Sequence, residues 1–135
     1  MRPPKYLFFT TLIAVLTISC EKETDSTQPV VNPTIQFRSD SGYVFLDDTV
    51  GIADTLHVGV IIDRGTGAMH HFKVMVRYDL DDAIVTDSLP IGSDEFEFEK
   101  TIITREIPGT EKWSFNVIEN DGDLIRRSLT FVVQE

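Results

Sequence analysis

Trp113-Ser114-Phe115-Asn116-Val117-Ile118-Glu119-Asn120-Asp121-Gly122-Asp123-Leu124-Ile125 is the stretch on which the fold turns. Trp113, Phe115 and Val117 alternate with Ser114 and Asn116, the period of a strand with one buried face. Asn120-Asp121-Gly122-Asp123 then reads as a hairpin, with Asp-Gly offering the positive φ angles of a tight primed turn. Beyond it Ile125, Leu129, Phe131 and Val133 share a second face with Arg127. Two such runs joined by such a turn are antiparallel neighbours, so the domain is built from sheet.

The same period extends backwards. Leu56, Val58, Val60 and Ile62 oppose His57 and Gly59; Phe72, Val74, Val76 and Tyr78 oppose Lys73, Met75 and Arg77. Ala83 to Leu89 is a shorter strand, and Phe96, Phe98 and Ile102 alternate with Glu95, Glu97 and Glu99. At the front, Ile35 and Phe37 alternate with Gln36 and Arg38, and Ser39-Asp40-Ser41-Gly42 reads as a turn or bulge. Tyr43-Val44-Phe45-Leu46 is expected to resume the strand and Asp47-Asp48-Thr49 to break it. No segment carries a 3.6-residue repeat. Short strands with one apolar face each, spaced by Gly, Asp and Pro turns, predict an all-β, antiparallel Greek-key sandwich of about seven strands over residues 35–135.

The N-terminal residues are of another kind. Arg2 and Lys5 precede an apolar run from Tyr6 to Ile18, then Ser19 and Cys20, the only cysteine. The run falls short of the ~20 apolar residues of a spanning helix and suits a signal h-region. Leu16-Thr17-Ile18-Ser19-Cys20 resembles a bacterial lipobox, with Thr17 departing from its strictest form. The resemblance implies a lipoprotein signal peptide over 1–19, cleavage before Cys20, palmitate-type acylation of Cys20, and membrane attachment through that lipid. The plainer readings are an ordinary secretory signal or a short anchor. Residues 20–34, with Pro29 and Pro33, read as a lipidated flexible tether. Glu21-Lys22-Glu23-Thr24-Asp25 resembles the export signal of Bacteroidota surface lipoproteins, which implies an outer-membrane, surface-exposed location. A periplasm-facing anchor is the alternative.

The body resembles the immunoglobulin-like domains of Bacteroidota lipoproteins. The matching residues are Pro33-Thr34-Ile35-Gln36-Phe37, Gly42-Tyr43-Val44, Asp54-Thr55-Leu56-His57-Val58-Gly59-Val60, Gly109-Thr110-Glu111-Lys112-Trp113-Ser114-Phe115-Asn116-Val117 and Asn120-Asp121-Gly122. Such domains are mostly spacers, adhesion modules or accessories of glycan systems. The resemblance places the 63–71 and 119–123 loops at the end where the tether arrives. It places the 47–54, 79–82 and 104–111 loops at the other end.

Charge and residue types exclude several function classes. With 12 basic and 22 acidic residues the net charge is −10, and the signal segment holds none of the acids. Nucleic acid repels such a chain. An acylated Cys20 leaves no thiol for a disulfide, a metal or a nucleophile. Only His57, His70 and His71 could act as a neutral-pH base, and adjacent histidines on a strand point apart. Neither a nucleophile elbow nor a phosphate loop is present. An enzyme is not expected.

Two kinds of binding site remain. Calcium takes loop carboxylates; the candidates are Asp47 and Asp48, then Asp79, Asp81 and Asp82, expected to form one acidic cap at the end away from the tether. Glu119, Asp121 and Asp123 resemble a fragment of a calcium loop without its later bidentate glutamate. For each group the plainer reading is a polar turn. A sugar site pairs an exposed aromatic with polar groups, and Tyr43 after its bulge is the candidate, whereas Trp113 reads as core. The sequence thus points to a lipid-anchored, non-catalytic binding or assembly module with an unidentified protein or glycan partner. A glycan-uptake accessory and a purely structural envelope protein are the alternatives.

Overall fold

The computed structural model describes residues 28–135. The signal segment, Cys20 and the first part of the tether lie outside the described residues. Eight strands follow in order: β1 Thr34–Phe37, β2 Asp48–Gly51, β3 Thr55–Asp63, β4 Met69–Tyr78, β5 Ile84–Pro90, β6 Glu95–Ile103, β7 Gly109–Glu119 and β8 Leu124–Gln134. They form two sheets, one ordered β1-β3-β6 and one ordered β2-β8-β7-β4-β5. This is the immunoglobulin-like sandwich that the alternation predicts.

The extra strand comes from a split at the front. One stretch of chain serves both sheets: β1 pairs antiparallel with β3, and β2 pairs with β8. The β2–β8 pair is parallel, which corrects the all-antiparallel expectation. A chain crossing between the exposed edges of β3 and β8 keeps one direction, so it opposes one and follows the other. The strand also resumes later than expected. Tyr43–Leu46 is irregular, holding the β3 edge through the Val44 N–H to His57 carbonyl bond of 2.8 Å. Asp47 and Asp48 lead into β2 instead of breaking it, because the Asp47 carboxylate accepts the Thr130 N–H at 2.8 Å and extends the ladder with a side chain.

The β7–β8 hairpin also differs in detail. Gly122 has φ 96°, whereas Asp121 is not among the residues with positive φ. The Gly122 N–H reaches the Glu119 carbonyl at 3.0 Å, and the Glu119 N–H reaches the Asp123 carbonyl at 2.9 Å. This is a three-residue loop, a type I turn closed by one left-handed glycine, and not the two-residue primed turn.

The alternating apolar positions meet between the sheets. Val58, Val60, Ile62, Phe72, Val74, Phe115, Val117 and Phe131 are all fully buried. Aromatic pairs cross the gap: Phe72 of β4 lies 5.3 Å from Phe96 and 5.0 Å from Phe98 of β6, and Phe37 of β1 meets Phe115 of β7 edge-on at 5.4 Å. Each such pair contributes about 0.5–1.5 kcal/mol beyond its buried area. Trp113 is core, and its indole N–H donates to the buried Glu111 at 3.0 Å. The other Glu111 oxygen accepts the Arg105 N–H at 2.6 Å, pinning the 104–108 loop to the core. Among the described residues no buried side-chain polar atom lacks a partner.

A cation closes each open side of the sandwich. On one, Lys100 of β6 bonds to Asp87 of β5 at 2.6 Å. On the other, Arg127 of β8 donates to the Ile35 carbonyl at 2.8 Å and lies 4.9 Å from the Phe37 ring. Ordered contacts begin before Ile35: the Val31 N–H donates to the Thr66 hydroxyl at 2.8 Å, and the Thr66 N–H to the Val31 carbonyl at 2.7 Å.

Replacing Phe72 with alanine removes the ring that bridges the sheets and is expected to cost about 3–5 kcal/mol in urea unfolding. Val85→Ala, on the exposed face of β5, is expected to stay within about 0.5 kcal/mol.

Candidate functional site

The site follows from the break after β1. The Arg38 N–H donates to the Gly59 carbonyl at 2.8 Å, the chain loops out, and Val44 returns to the same strand edge at His57. Gly59 explains why the loop folds onto the sheet. A Cβ there would stand 2.9 Å from Cγ of Arg38, so only glycine lets the arginine stem lie flat across β3. The Arg38 guanidinium bonds to both oxygens of Asp40, at 3.2 and 2.8 Å, and to Glu99 at 2.7 Å. It stacks 4.3 Å from the Tyr43 ring, whose hydroxyl donates to the same Glu99 oxygen. Loop and sheet are thereby joined by charge-assisted bonds and one cation–π contact.

Between the loop and the sheet lies an open recess of about 470 Å³, lined by Gly42, Tyr43, His57, Glu99, Lys100 and Thr101. Its polar groups are oriented by each other. His57 and Thr101 are cross-strand partners, with Nδ1 and Oγ1 3.2 Å apart. The bond to Glu99 pushes the Tyr43 phenol above its ordinary value, and the bond to Asp40 does the same for Arg38. The bond to Arg38 holds the Asp40 carboxyl low. Tyr43 therefore stays a neutral donor through the physiological range, the reverse of what a phenolate nucleophile needs. The ring, carboxylate, imidazole and hydroxyl can together hold a polar ligand with one apolar face, whereas the Lys100 ammonium is taken by Asp87.

The sequence pointed to Tyr43 but missed its partners. Arg38 and Glu99 looked like ordinary outward residues of their strands. The signal that could have found them is Gly59, a glycine inside a strand, which marks a close approach.

The acidic residues sort differently from the expected cap. Asp47 is tied to Thr130, and Asp48 accepts the N–H of the next residue, Thr49, at 2.8 Å. Asp79, at φ 49°, accepts the Thr110 N–H at 2.8 Å and the Arg105 guanidinium at 2.6 Å. Asp81 and Asp82 are exposed beside it. Asp47 and Asp48 adjoin β8 at Thr130 and Phe131, with β8 and β7 standing between them and the β4–β5 turn. The five carboxylates therefore do not converge.

At the tether end, Glu119, Asp121 and Asp123 do converge, with ligand oxygens within 4.8 Å of one another, and this acidic group could hold a metal ion. Burial, then the charges of Asp121 and Asp123, push the Glu119 carboxyl above the usual range. The paired histidines, 5.9 Å between ring centroids, join no such group. His71 instead meets Ser88 at 2.6 Å.

The fold defines an immunoglobulin-like β-sandwich domain. No family model matches the chain, and no curated protein matches it. Among solved structures, the chain is similar to part of a β-glucosidase from Listeria innocua in complex with glucose, at 11% identity and a TM-score of 0.45, over 75% of this chain and 16% of that one. It is also similar to murine CRIg, at 12% identity and a TM-score of 0.41, over 78% of this chain and all of that one. A third likeness is the CARDB domain of the PF1109 protein from Pyrococcus furiosus in complex with di-metal ions, at 13% identity and a TM-score of 0.45, over 75% and 88% of the two chains. The chain thus spans only a small part of the glucosidase.

The Thr110 N–H bond, followed by the Arg105 bond, holds the Asp79 carboxyl below its ordinary value of 3.8. Its folded pKa lies below the unfolded one, so the stabilisation is present above the ordinary value and is lost as pH falls through the folded one. Carboxyl carbon NMR is expected to give Asp79 a midpoint below 3.8. A midpoint at or above it would mean that the bonds to Arg105 and Thr110 are not formed in solution.

Proposed function

We propose that the chain is a lipid-anchored, non-catalytic binding module, attached through Cys20 to the outer membrane and displayed at the cell surface. The observation that carries this reading is the recess of Tyr43, His57, Glu99 and Thr101, a preorganised polar site beside a half-buried aromatic. Pockets of that make-up hold ligands by a few placed polar groups and one apolar wall. A sugar residue fits the description, with its C–H face on Tyr43 and its hydroxyls on Glu99, His57 and Thr101. The ligand class is therefore a glycan, held and not cleaved, as in an accessory of glycan uptake. Nothing in the recess pairs a nucleophile with a base oriented by a third group.

An assembly role has its own observation. β5 is an edge strand with Ile84, Val85 and Leu89 exposed by 56%, 49% and 37%. Pro90 and the β-bulge at Val74/Met75 interrupt that edge, which disfavours strand addition. For the acidic group at 119–123 the ion class is a hard divalent cation, calcium before magnesium, because loop carboxylates suit its looser geometry.

Cys20→Ser is expected to release the protein from the membrane fraction. For the recess, amide NMR during titration with oligosaccharides is expected to move Tyr43, His57 and Thr101 first. Tyr43→Ala is expected to weaken binding by about tenfold or more, the loss of one stacked ring at about 1.4 kcal/mol. Shifts confined to β5 would favour assembly instead, and affinity unchanged in Tyr43→Ala would rule out the recess.

A further inference from the structure

We propose that the outward face of β4, β7 and β8 docks on an anionic lipid surface and thereby turns the recess away from the membrane. This rests on the membrane attachment proposed above and adds the orientation of the domain. Lys73 and Arg77 of β4, Lys112 of β7 and Arg126 of β8 alternate with the inward residues of their strands, so all four point outward. The register gathers them. Lys73, Asn116 and Arg126 form one cross-strand row, and Arg77, Lys112 and Thr130 form another. The rows are about 13 Å apart along β4. Among the described residues, no acidic side chain takes an outward position on these three strands, and none of the four cations joins an ion pair.

One of the cations is held in position. Asn116 is 1% exposed, and its amide donates to the Lys73 and Ser114 carbonyls at 3.2 and 3.1 Å. Its fixed oxygen accepts the Arg126 Nε–H at 2.6 Å. The remaining donors of that guanidinium are left for a headgroup phosphate. No Phe, Tyr or Trp stands outward on these strands, so the face suits charged headgroups and not stacked sugar rings.

The opposite sheet has the opposite sign. Asp63, Glu95, Glu97 and Glu99 point outward on β3 and β6, and Arg38 beside them is bonded to Glu99 and Asp40. The sandwich is thus a plate with one basic and one acidic face. Its sheets are about 10 Å apart, beyond the Debye length of about 8 Å at physiological salt. A bilayer beside the basic face therefore meets the four cations and not the net charge. The chain enters at an end of the sandwich, where Val31 bonds to Thr66 in the β3–β4 loop. Attachment there lets either face lie down, and the charges decide between them. Each cation brought to an anionic surface favours the basic face by about fivefold. Tyr43, His57 and Thr101, on the other sheet, then face the medium.

The test uses the full-length, acylated chain in lipid discs with a gadolinium-labelled headgroup, made of phosphatidylcholine alone or with about one third phosphatidylglycerol. Amide NMR reads which face lies near the lipid. On anionic discs, broadening at Lys73, Lys112 and Arg126 is expected to exceed that at Glu97 and Thr101 by about threefold or more. The difference should vanish on neutral discs and in about 0.5 M salt. Arg77→Glu with Lys112→Glu, both at exposed positions, should abolish it, and Arg77→Gln with Lys112→Gln should reduce it. Equal broadening of the two faces on anionic discs overturns the docking and leaves the anchor standing. A chain that stays off both kinds of disc overturns anchor and docking together. A difference that persists on neutral discs or in the Glu variant overturns docking by charge. Equal broadening together with shifts of the same amides in polygalacturonate assigns the face to a soluble polyanion and overturns the membrane as its partner.

Discussion

Contact between the two inner faces is what everything else depends on. No disulfide spans the described sandwich, so the sheets are held by the side chains that interdigitate between them. Phe72 against Phe96 and Phe98, and Phe37 against Phe115, are the largest of these crossings. Close-packed interiors tolerate little change of volume, so the positions of β3 and β6 relative to β4 and β7 are fixed. The outer face of β3 and β6 can then act as a rigid platform. The recess is precise because its floor is a sheet, and only its Tyr43 wall is a loop.

The polar groups at the margins have separate tasks. Glu111 draws the 104–108 loop onto the core, and Thr104 ties that loop to Gly51 and Asp54. Asp79 and Arg105 lock the β4–β5 turn to the start of β7. The acidic composition therefore hides two populations. Asp47, Asp79 and Glu111 are engaged in holding backbone, whereas Glu119, Asp121 and Asp123 have been brought together without a basic partner among the described residues. Counting carboxylates in the sequence cannot separate them, because a bonded aspartate and a free one are written alike.

The fold was legible to the extent that a two-residue period determines it. Leu56 to Ile62, Phe72 to Val76, Trp113 to Val117 and Leu129 to Val133 turn inward as the alternation requires. The split of the first strand was not legible, because Tyr43-Val44-Phe45-Leu46 has strand-like composition and Asp47-Asp48 does not. Long-range partners decided there: His57 for Val44, and Thr130 for Asp47. The site was legible only at Tyr43. Arg38 and Glu99, 61 positions apart, meet across β3, and no local pattern encodes that distance. The hairpin was found from Asp121-Gly122, but its loop length depends on the register of β7 with β8, which the dipeptide alone does not set.

The place of β8 bears on when the chain can fold. Although last in the chain, β8 lies inside its sheet, between β7 and the early strand β2. On a ribosome, β2 therefore waits without its neighbour until residues 124–134 arrive, and the partner of Asp47 is 83 positions downstream. Contacts of such separation slow folding. A chain that cannot close early stays open to chaperones and proteases for longer, so this topology itself sets the interval in which the unfinished domain is vulnerable.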